Sequence, residues 1–261
     1  MKKILSIDGG GIKGIFAASF LTQIEEKCNG RICDYFDMIA GTSTGGIIAA
    51  ALSVGISANE ILKLYMENAK AIFPQNTRFK LFSTKYSNKP LKAAVTKVLG
   101  NKKIRNCKTR LLIPAYNLQE RKARVFKTPH ADDLYFDKNL LLRDIVMATT
   151  AAPLYFPPYT MEGGIFIDGG VVANNPSFMA VAEGLTRCGW SKEDIALLSI
   201  GGVEGAPRTT GEEHMGIMNA LKIQKCFMGA SSQYAENLCG LFLKEQSYLR
   251  INDEPLPSAK V

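Results

Sequence analysis

The chain has 261 residues, of which 46% are hydrophobic and 21% are charged, and its formal net charge is +8. This apolar content excludes an intrinsically disordered chain, and the length suffices for one large domain with a substantial core. The longest mainly apolar stretch, residues 47–56, is far shorter than the roughly 20 residues that span a bilayer. We therefore predict a single domain over residues 1–261.

The amino-terminal sequence predicts a cytoplasmic protein. MKKILSIDGGG has two lysines but lacks the roughly 7–15-residue apolar region of a signal peptide. The six cysteines form no CxxC, and no histidine lies at metal-ligand spacing from them. The sequence thus indicates neither a disulfide framework nor a zinc site.

Short apolar runs rich in β-branched residues alternate with helical patterns along most of the chain. The runs predict strands over residues 3–7, 36–40, 111–115, 123–126, 164–167 and 195–200. The helical patterns predict helices over residues 15–28, 45–54, 58–70, 90–99, 140–150 and 176–188. Such alternation favours an α/β fold in which a mainly parallel sheet carries helices on both faces.

The pattern changes after Gly201. Residues 205–211 have the composition of a loop, residues 215–243 predict a long helical stretch that is either continuous or broken, and residues 248–252 predict a short strand. The final EPLPSAKV contains two prolines and no closing helix, so we expect the carboxyl-terminal part to be truncated after about residue 252.

Basic residues concentrate between residues 85 and 127, where 13 Lys and Arg side chains face one acid, Glu120. A local concentration of this kind is either solvated surface or a face for an anionic partner, such as a membrane surface or a charged ligand. No aromatic stacking motif or reading helix indicates a nucleic-acid duplex as the partner.

The first glycine motif is DGGGIKG, from Asp8 to Gly14, which directly follows the first predicted strand and precedes a helix. Glycines there allow a tight turn and leave N–H groups pointing into open space at a helix amino terminus, which favours an anion. The motif also satisfies GxGxxG, and Asp34 or Asp37 follows roughly 20 residues later, so a dinucleotide-binding site is a rival interpretation.

The second motif is GTSTG, which follows the predicted strand FDMIA and precedes an apolar helix. It is a GxSxG in the strand–turn–helix context of a nucleophile elbow, where small flanking residues tolerate the strained turn that exposes the serine. Ser43 is therefore the candidate nucleophile, with Gly41 and Gly45 as elbow glycines. A glycine-rich turn whose serine only caps the helix is the alternative.

The third motif is IDGGVVANNP, in which Asp168 ends a short apolar strand and Gly169 and Gly170 follow. Parallel-sheet enzymes place catalytic groups beyond the carboxyl ends of strands, so we expect Asp168 to lie beside Ser43 and the first glycine loop. An Asx-type turn is the alternative.

Two histidines are available for a Ser–His–Asp triad, His130 and His214. His130 lies in KTPHADD, a polar segment that predicts a surface loop, and His214 lies in GEEHMG, beside two glutamates that indicate a solvated loop or helix start. The order Ser43, Asp168, His214 nevertheless fits an α/β-hydrolase triad formally.

The three motifs, in the order GGGIKG, GTSTG and DGG, resemble the patatin-like phospholipase family. The segments AYNLQERKARVF and ATTAAPLYFPPY also resemble that family, so the similarity covers nearly the whole chain. The resemblance implies a three-layer α/β/α sandwich with a central, mainly parallel sheet. It also implies a Ser–Asp dyad that acts on lipid acyl esters without a histidine, a metal or another cofactor.

Carried onto this sequence, the resemblance makes Ser43 the nucleophile and Asp168 the acceptor of its proton. It implies an oxyanion-hole loop made of Gly9, Gly10, Gly11, Lys13 and Gly14. The family often has Arg where this chain has Lys13, and the ammonium of lysine lacks the two-point geometry of a guanidinium. Family members also commonly continue past the predicted strand at residues 248–252.

The resemblance further implies a membrane phospholipid substrate, met through peripheral association with the membrane. The basic segment 85–127 is then the expected contact with anionic lipid. Some bacterial members resemble anti-phage effectors that cyclic nucleotides switch on, so a cyclic nucleotide activator is a second expected partner. A catalytically silent protein on the same fold and a dinucleotide-binding oxidoreductase are the remaining alternatives.

Overall fold

The computed structural model describes residues 1–74, 83–202 and 220–252. Over these residues the chain forms one eight-stranded sheet. Its strands are β1 (Lys2–Ile7), β2 (Met38–Gly41), β3 (Arg110–Asn117), β4 (Lys122–Lys127), β5 (Tyr159–Met161), β6 (Gly164–Asp168), β7 (Ile195–Ile200) and β8 (Tyr248–Ile251). The α-helices of the described residues are α1 (Gly14–Cys28), α2 (Ile32–Tyr35), α3 (Thr44–Ser53), α4 (Ala58–Ile72), α5 (Lys89–Leu99), α6 (Leu142–Thr149), α7 (Gly170–Ala173), α8 (Ser177–Thr186) and α9 (Ala220–Phe242).

Two hydrophobic cores lie on opposite faces of the sheet, because successive side chains of a strand point to opposite faces. In β1, Leu5 and Ile7 contribute to the larger core, whereas Ile4 contributes to the smaller one. Helices α1, α3, α4, α5 and α6 cover the larger core, and α8 and α9 cover the smaller one. The predicted α/β/α sandwich is therefore confirmed.

The strand order is β5-β6-β3-β2-β1-β7-β8, with β4 paired to β3 outside this path. Strands β3, β2, β1, β7 and β8 are parallel, in agreement with the predicted mainly parallel sheet. Strands β4 and β6 run antiparallel to β3, and β5 runs antiparallel to β6. The sheet is thus mixed on the side that carries Asp168.

The junction of β2, β3 and β6 decides where the second and third motifs meet. Leu112 of β3 pairs with Ala40 of β2, Ala115 of β3 pairs with Asp168 of β6, and both β3 residues also pair with β4. Because a strand residue has one neighbour on each side, β2 and β6 share the edge of β3 opposite β4. They run in opposite directions along it, so their carboxyl ends face each other.

The predicted strands and helices within the described residues are present, with ends that differ by a few residues. Strand β5 and helices α2 and α7 were not predicted, because three or four residues are too short to display a period. The predicted loop 205–211, the helix start at 215–219 and the tail beyond residue 252 lie outside the described residues. Among the described helices, none has the length and apolar character needed to cross a bilayer.

The basic residues of segment 85–127 are close in sequence but do not form one surface. The segment contributes helix α5, the approach to β3, and the β3–β4 hairpin, so its cations lie in a helix layer and along both ends of the sheet. Three of them pair with acids, since Lys97 lies beside Glu67, Arg124 beside Asp137 and Lys127 beside Glu183. The fold therefore disperses the charge that the sequence concentrates.

Candidate active site

Ser43 lies at the sharp turn between β2 and α3. Its backbone dihedrals are φ 53° and ψ −120°, a combination that residues with a side chain rarely adopt and that costs on the order of 1–3 kcal/mol. The surrounding structure holds the turn, because the Ser43 N–H donates to Thr149 Oγ1 over 3.0 Å. The Thr149 hydroxyl in turn donates to the Pro114 carbonyl oxygen over 2.6 Å. The GxSxG motif is therefore folded as a strained elbow.

Two glycines allow this elbow to pack against the neighbouring strands. A Cβ at Gly45 would lie 2.2 Å from the carbonyl oxygen of Ile7, and one at Gly41 would lie 2.2 Å from the carbonyl oxygen of Gly45. Both distances are shorter than van der Waals contact permits. The start of α3 consequently packs directly onto the ends of β1 and β2, which brings the first glycine loop beside Ser43.

Asp168, the last residue of β6, meets Ser43 at this edge of the sheet. The Ser43 hydroxyl donates to Asp168 Oδ2 over 2.6 Å, although the two residues are 125 positions apart in sequence. The other oxygen, Oδ1, accepts from the Gly170 N–H over 2.6 Å. Asp168 reaches Ser43 from an antiparallel strand, because β6 occupies the edge of β3 beyond the end of β2.

Burial makes the carboxyl group of Asp168 a weaker acid than that of an exposed aspartate. Its exposed fraction is 2%, and that of Ser43 is 8%. Desolvation raises the pKa of Asp168 to about 6, from an ordinary value of 3.8, against the opposing effect of the hydrogen bonds from Ser43 and the Gly170 N–H. The carboxylate is therefore a stronger base than an exposed aspartate.

The first glycine loop lies against Ser43, since a Cβ at Gly9 would be 3.3 Å from the Ser43 Cβ. Several of its N–H groups are already engaged. That of Gly9 donates to Asn174 O over 3.0 Å, that of Lys13 donates to Gly10 O over 3.2 Å, and that of Gly14 donates to Gly11 O and Ile12 O.

These contacts reduce the number of N–H groups that can form the predicted oxyanion hole. Hydrogen bonds within the chain remove the N–H groups of Gly9, Lys13 and Gly14 as donors to a substrate. No hydrogen bond joins the N–H group of Gly10 or Gly11 to another described residue. Within this loop, Gly10 and Gly11 thus keep N–H groups that the described contacts leave available.

Among the described residues, no histidine lies beside the Ser43–Asp168 pair. His130 follows β4 and so lies near the start of β3, at the opposite end of the sheet from Ser43. Its side chain is 5% exposed and lies between Thr128 Oγ1, at 2.8 Å, and Glu183 Oε1, at 3.1 Å. The predicted surface loop therefore carries a buried histidine with a structural role. His214 lies outside the described residues.

The dinucleotide-binding alternative is not supported by the positions of its acids. Asp34 lies in α2, and Asp37 directly precedes β2, where it accepts from the Lys3 N–H over 2.9 Å. A ribose-binding acid follows the second strand at its carboxyl end. Both aspartates instead lie at the amino end of β2, across the sheet from the glycine loop.

Sequence reasoning missed two residues that shape the site. The Thr149 hydroxyl oxygen accepts a hydrogen bond from the Ser43 N–H, and the Asn174 carbonyl oxygen accepts one from the Gly9 N–H. Both belong to segments whose patterns resemble the family, ATTAAP and DGGVVANNP, but a local pattern does not reveal their long-range partners. Among the described residues, no group of three or more potential ligands could hold a metal ion.

Comparison with known proteins identifies relatives that are similar in sequence. Two proteins named cGAMP-activated phospholipase, from Vibrio cholerae and Escherichia coli, are 40% and 38% identical over 69% and 81% of this chain. The chain spans 57% and 63% of their respective lengths. Patatin-like protein 1 of Oryza sativa subsp. indica is 34% identical over 69% of this chain and 50% of its own length.

The solved structure of VipD from Legionella pneumophila has the same fold. The superposition covers 99% of this chain and 63% of the VipD chain, with a TM-score of 0.53 and 12% sequence identity. The family model described as patatin-like phospholipase matches residues 5–181, which include all three glycine motifs. The chain therefore belongs to the patatin-like phospholipase family.

Proposed function

We propose that this protein is a serine acyl hydrolase that cleaves acyl esters of phospholipids. The observation that carries the proposal is the buried 2.6 Å hydrogen bond from the hydroxyl of a strained serine to a carboxylate. Family membership supports lipid esters as the substrate class. Ser43 acts as the nucleophile and Asp168 as the general base, with no histidine between them.

Asp168 suits this role because of its environment. A base is most effective when its pKa lies near the operating pH, and an ordinary aspartate is too acidic for efficient proton transfer at pH 7. Burial raises the pKa of Asp168 to about 6, while the Gly170 N–H holds the carboxylate in place. The second oxygen is then oriented toward the Ser43 hydroxyl.

The reaction proceeds in two steps. Ser43 Oγ attacks the ester carbonyl carbon as its proton passes to Asp168, and the tetrahedral intermediate then collapses to an acyl-enzyme as Asp168 returns that proton to the departing alcohol. In the second step Asp168 takes a proton from the attacking water, and it gives this proton to Ser43 Oγ as the fatty acid leaves. The N–H groups of Gly10 and Gly11 stabilise the oxyanion in both steps, a contribution worth about 10²–10³-fold in kcat per donor elsewhere.

A fluorophosphonate probe tests the nucleophile directly. We expect mass spectrometry to find the label on Ser43, and we expect Ser43→Ala to lose both labelling and ester hydrolysis while keeping its fold. Ser191 provides a matched control, because its hydroxyl donates to Glu193 over 2.6 Å but on the exposed surface. Unchanged hydrolysis by folded Ser43→Ala, or equal labelling of Ser191, would contradict the proposal.

The lipid surface is proposed to meet the end of the sheet that carries the dyad. Ile12, Leu118 and Val171 follow β1, β3 and β6 at that end and are 48%, 39% and 50% exposed. Exposed apolar side chains at the rim of a site are typical of membrane contact. Because the basic segment 85–127 is dispersed over the fold, this apolar rim is the better supported contact.

We also propose that a cyclic nucleotide activates the enzyme, as the names of its bacterial relatives state for those proteins. Hydrolysis of phospholipid vesicles is measured with and without cGAMP, and the linear dinucleotide of the same bases serves as control. A rise in rate with the cyclic form alone supports activation. An unchanged rate, together with no binding of cGAMP by calorimetry, would refute it.

A further inference from the structure

Asp8, the first residue of the motif DGGGIKG, is held in place by the side chain of Arg250, which lies 242 residues later in the sequence. Arg250 donates from Nη1 to Asp8 Oδ1 over 2.9 Å and from Nη2 to Asp8 Oδ2 over 2.6 Å. This is a two-point contact between a guanidinium and a carboxylate, which fixes orientation as well as distance. The side chains of Arg250 and Asp8 are 10% and 3% exposed, so the pair is largely removed from water.

Arg250 reaches Asp8 across an intervening strand. It lies in β8, which pairs with β7, and β7 pairs with β1. Neighbouring strands are about 4.8 Å apart, so the side chain spans β7 to reach the residue that follows β1. On the way, Nη1 donates to Ser199 Oγ of β7 over 2.6 Å. The backbone of Asp8 is held as well, since its N–H donates to Ile200 O over 3.0 Å.

Helix α9 holds the loop that follows Asp168 in a similar way. Ser232 of α9 accepts from Asn174 Nδ2 over 2.8 Å, and Asn174 is the residue whose carbonyl oxygen accepts the Gly9 N–H. Glu236, one turn further along α9, lies 3.7 Å from Arg250 Nε. The α9–β8 unit, residues 220–251, therefore contacts both catalytic loops, although it lies outside the family-model match to residues 5–181.

We propose that Arg250 is a positioning residue that holds the glycine loop so that the Gly10 and Gly11 N–H groups point at the reacting carbonyl oxygen. The α9–β8 unit thereby controls the oxyanion hole. Gly10 and Gly11 directly follow Asp8 and Gly9, and glycines have no side chain to anchor them, so their orientation depends on the residues that precede them. The inference rests on the proposed serine hydrolase function.

The test compares the full chain with Arg250→Gln, Arg250→Lys and the matched control Arg187→Gln, which removes an exposed arginine paired with Asp133. The kcat and KM for a soluble short-chain ester are expressed per active site titrated with fluorophosphonate. The Ki of a trifluoromethyl ketone is measured in parallel, because its adduct with the serine carries an oxyanion. Active-site titration and Ki are both independent of the fraction of misfolded protein.

We expect Arg250→Gln to lower kcat by roughly 10- to 100-fold, somewhat less than the removal of an oxyanion donor, with little change in KM. The Ki of the ketone should rise by a similar factor. Arg250→Lys should be intermediate, because an ammonium keeps the charge but not the two-point contact. Asp8→Asn should reproduce the loss and combine with Arg250→Gln less than additively, because the two residues act as a pair. Arg187→Gln should behave as wild type.

A Ki for Arg250→Gln within about twofold of wild type would overturn the inference, whether or not kcat per active site changed. Hydrogen exchange adds a readout that needs no turnover. The peptide spanning residues 8–14 should exchange faster in Arg250→Gln while the β1 peptide stays protected, and unchanged exchange would also overturn the inference. Absence of Ser43-dependent hydrolysis in the wild type would refute the proposed function instead, and the exchange result would still decide the role of Arg250.

Discussion

Asp168→Asn is expected to abolish hydrolysis and, at the same time, to stabilise the protein at neutral pH. Burial raises the pKa of Asp168 to about 6 from an ordinary value of 3.8, although hydrogen bonds from Ser43 and the Gly170 N–H oppose the shift. The folded protein thus favours the neutral carboxyl more strongly than the unfolded chain does. A difference of about two pKa units corresponds to about 3 kcal/mol.

The sign follows from the raised pKa of the folded state. The stability associated with this group is fully present below the unfolded pKa, near pH 4, and is lost as the pH rises through about 6. Asparagine has nearly the same shape and remains neutral at every pH. It can still accept from the Gly170 N–H and bond to Ser43. We therefore expect the variant to exceed wild type in stability by about 3 kcal/mol at pH 8 and by roughly half of that at pH 5.

Thermal unfolding between pH 5 and pH 8, followed by circular dichroism, measures this difference. For a domain of this size, about 3 kcal/mol corresponds to a Tm increase of roughly 6–12 °C. Glu183→Gln provides a control of opposite sign. Burial alone would raise the pKa of Glu183, but hydrogen bonds with His130 and Lys127 outweigh it and hold that pKa below its usual range. This control variant should lose stability at neutral pH.

Two results would refute the reasoning. Asp168→Asn could melt at or below the wild-type temperature at pH 8, which would mean that the buried carboxylate is not destabilising. Alternatively, the difference in Tm could be independent of pH, which would mean that protonation of Asp168 does not contribute. Either outcome would remove the basis for assigning Asp168 a raised pKa and an enhanced basicity.

Three further predictions concern the site and its rim. Because Asp168 must be ionised to accept a proton, kcat should fall as the pH drops through about 6; a kcat that stays constant from pH 7 to pH 5 would contradict its role as base. Thr149→Val removes the acceptor of the Ser43 N–H, so it should destabilise the fold by about 1–3 kcal/mol and lower kcat. Chemical denaturation measures the stability and ester hydrolysis measures kcat. An unaltered kcat would show that the elbow keeps its geometry without Thr149. Val171→Asp should weaken binding to phospholipid vesicles with little effect on a soluble ester, and co-sedimentation at unchanged affinity would count against the apolar rim.

The elements that carry the three motifs could be predicted because their signals are local. The apolar run of β1, the glycines after it and the helical period of α1 are contiguous in sequence, and the same is true of β2, Ser43 and α3. Each motif is therefore recognisable within about 20 residues. The antiparallel direction of β6 could not be read in this way, because strand direction depends on which neighbour a strand finds in the sheet.

Periodicity, glycine content and residue type are local signals, and they specify the fold class, the serine elbow and the position of Asp168 at the end of a strand. The contact between Ser43 and Asp168, the hydrogen bond from Gly9 to Asn174 and the pairing of Arg250 with Asp8, 242 residues away, arise only when the chain is folded. These contacts depend on the order and direction of strands. The raised pKa of Asp168 is likewise a tertiary property, because desolvation arises from every element that packs around the carboxyl and from no single segment.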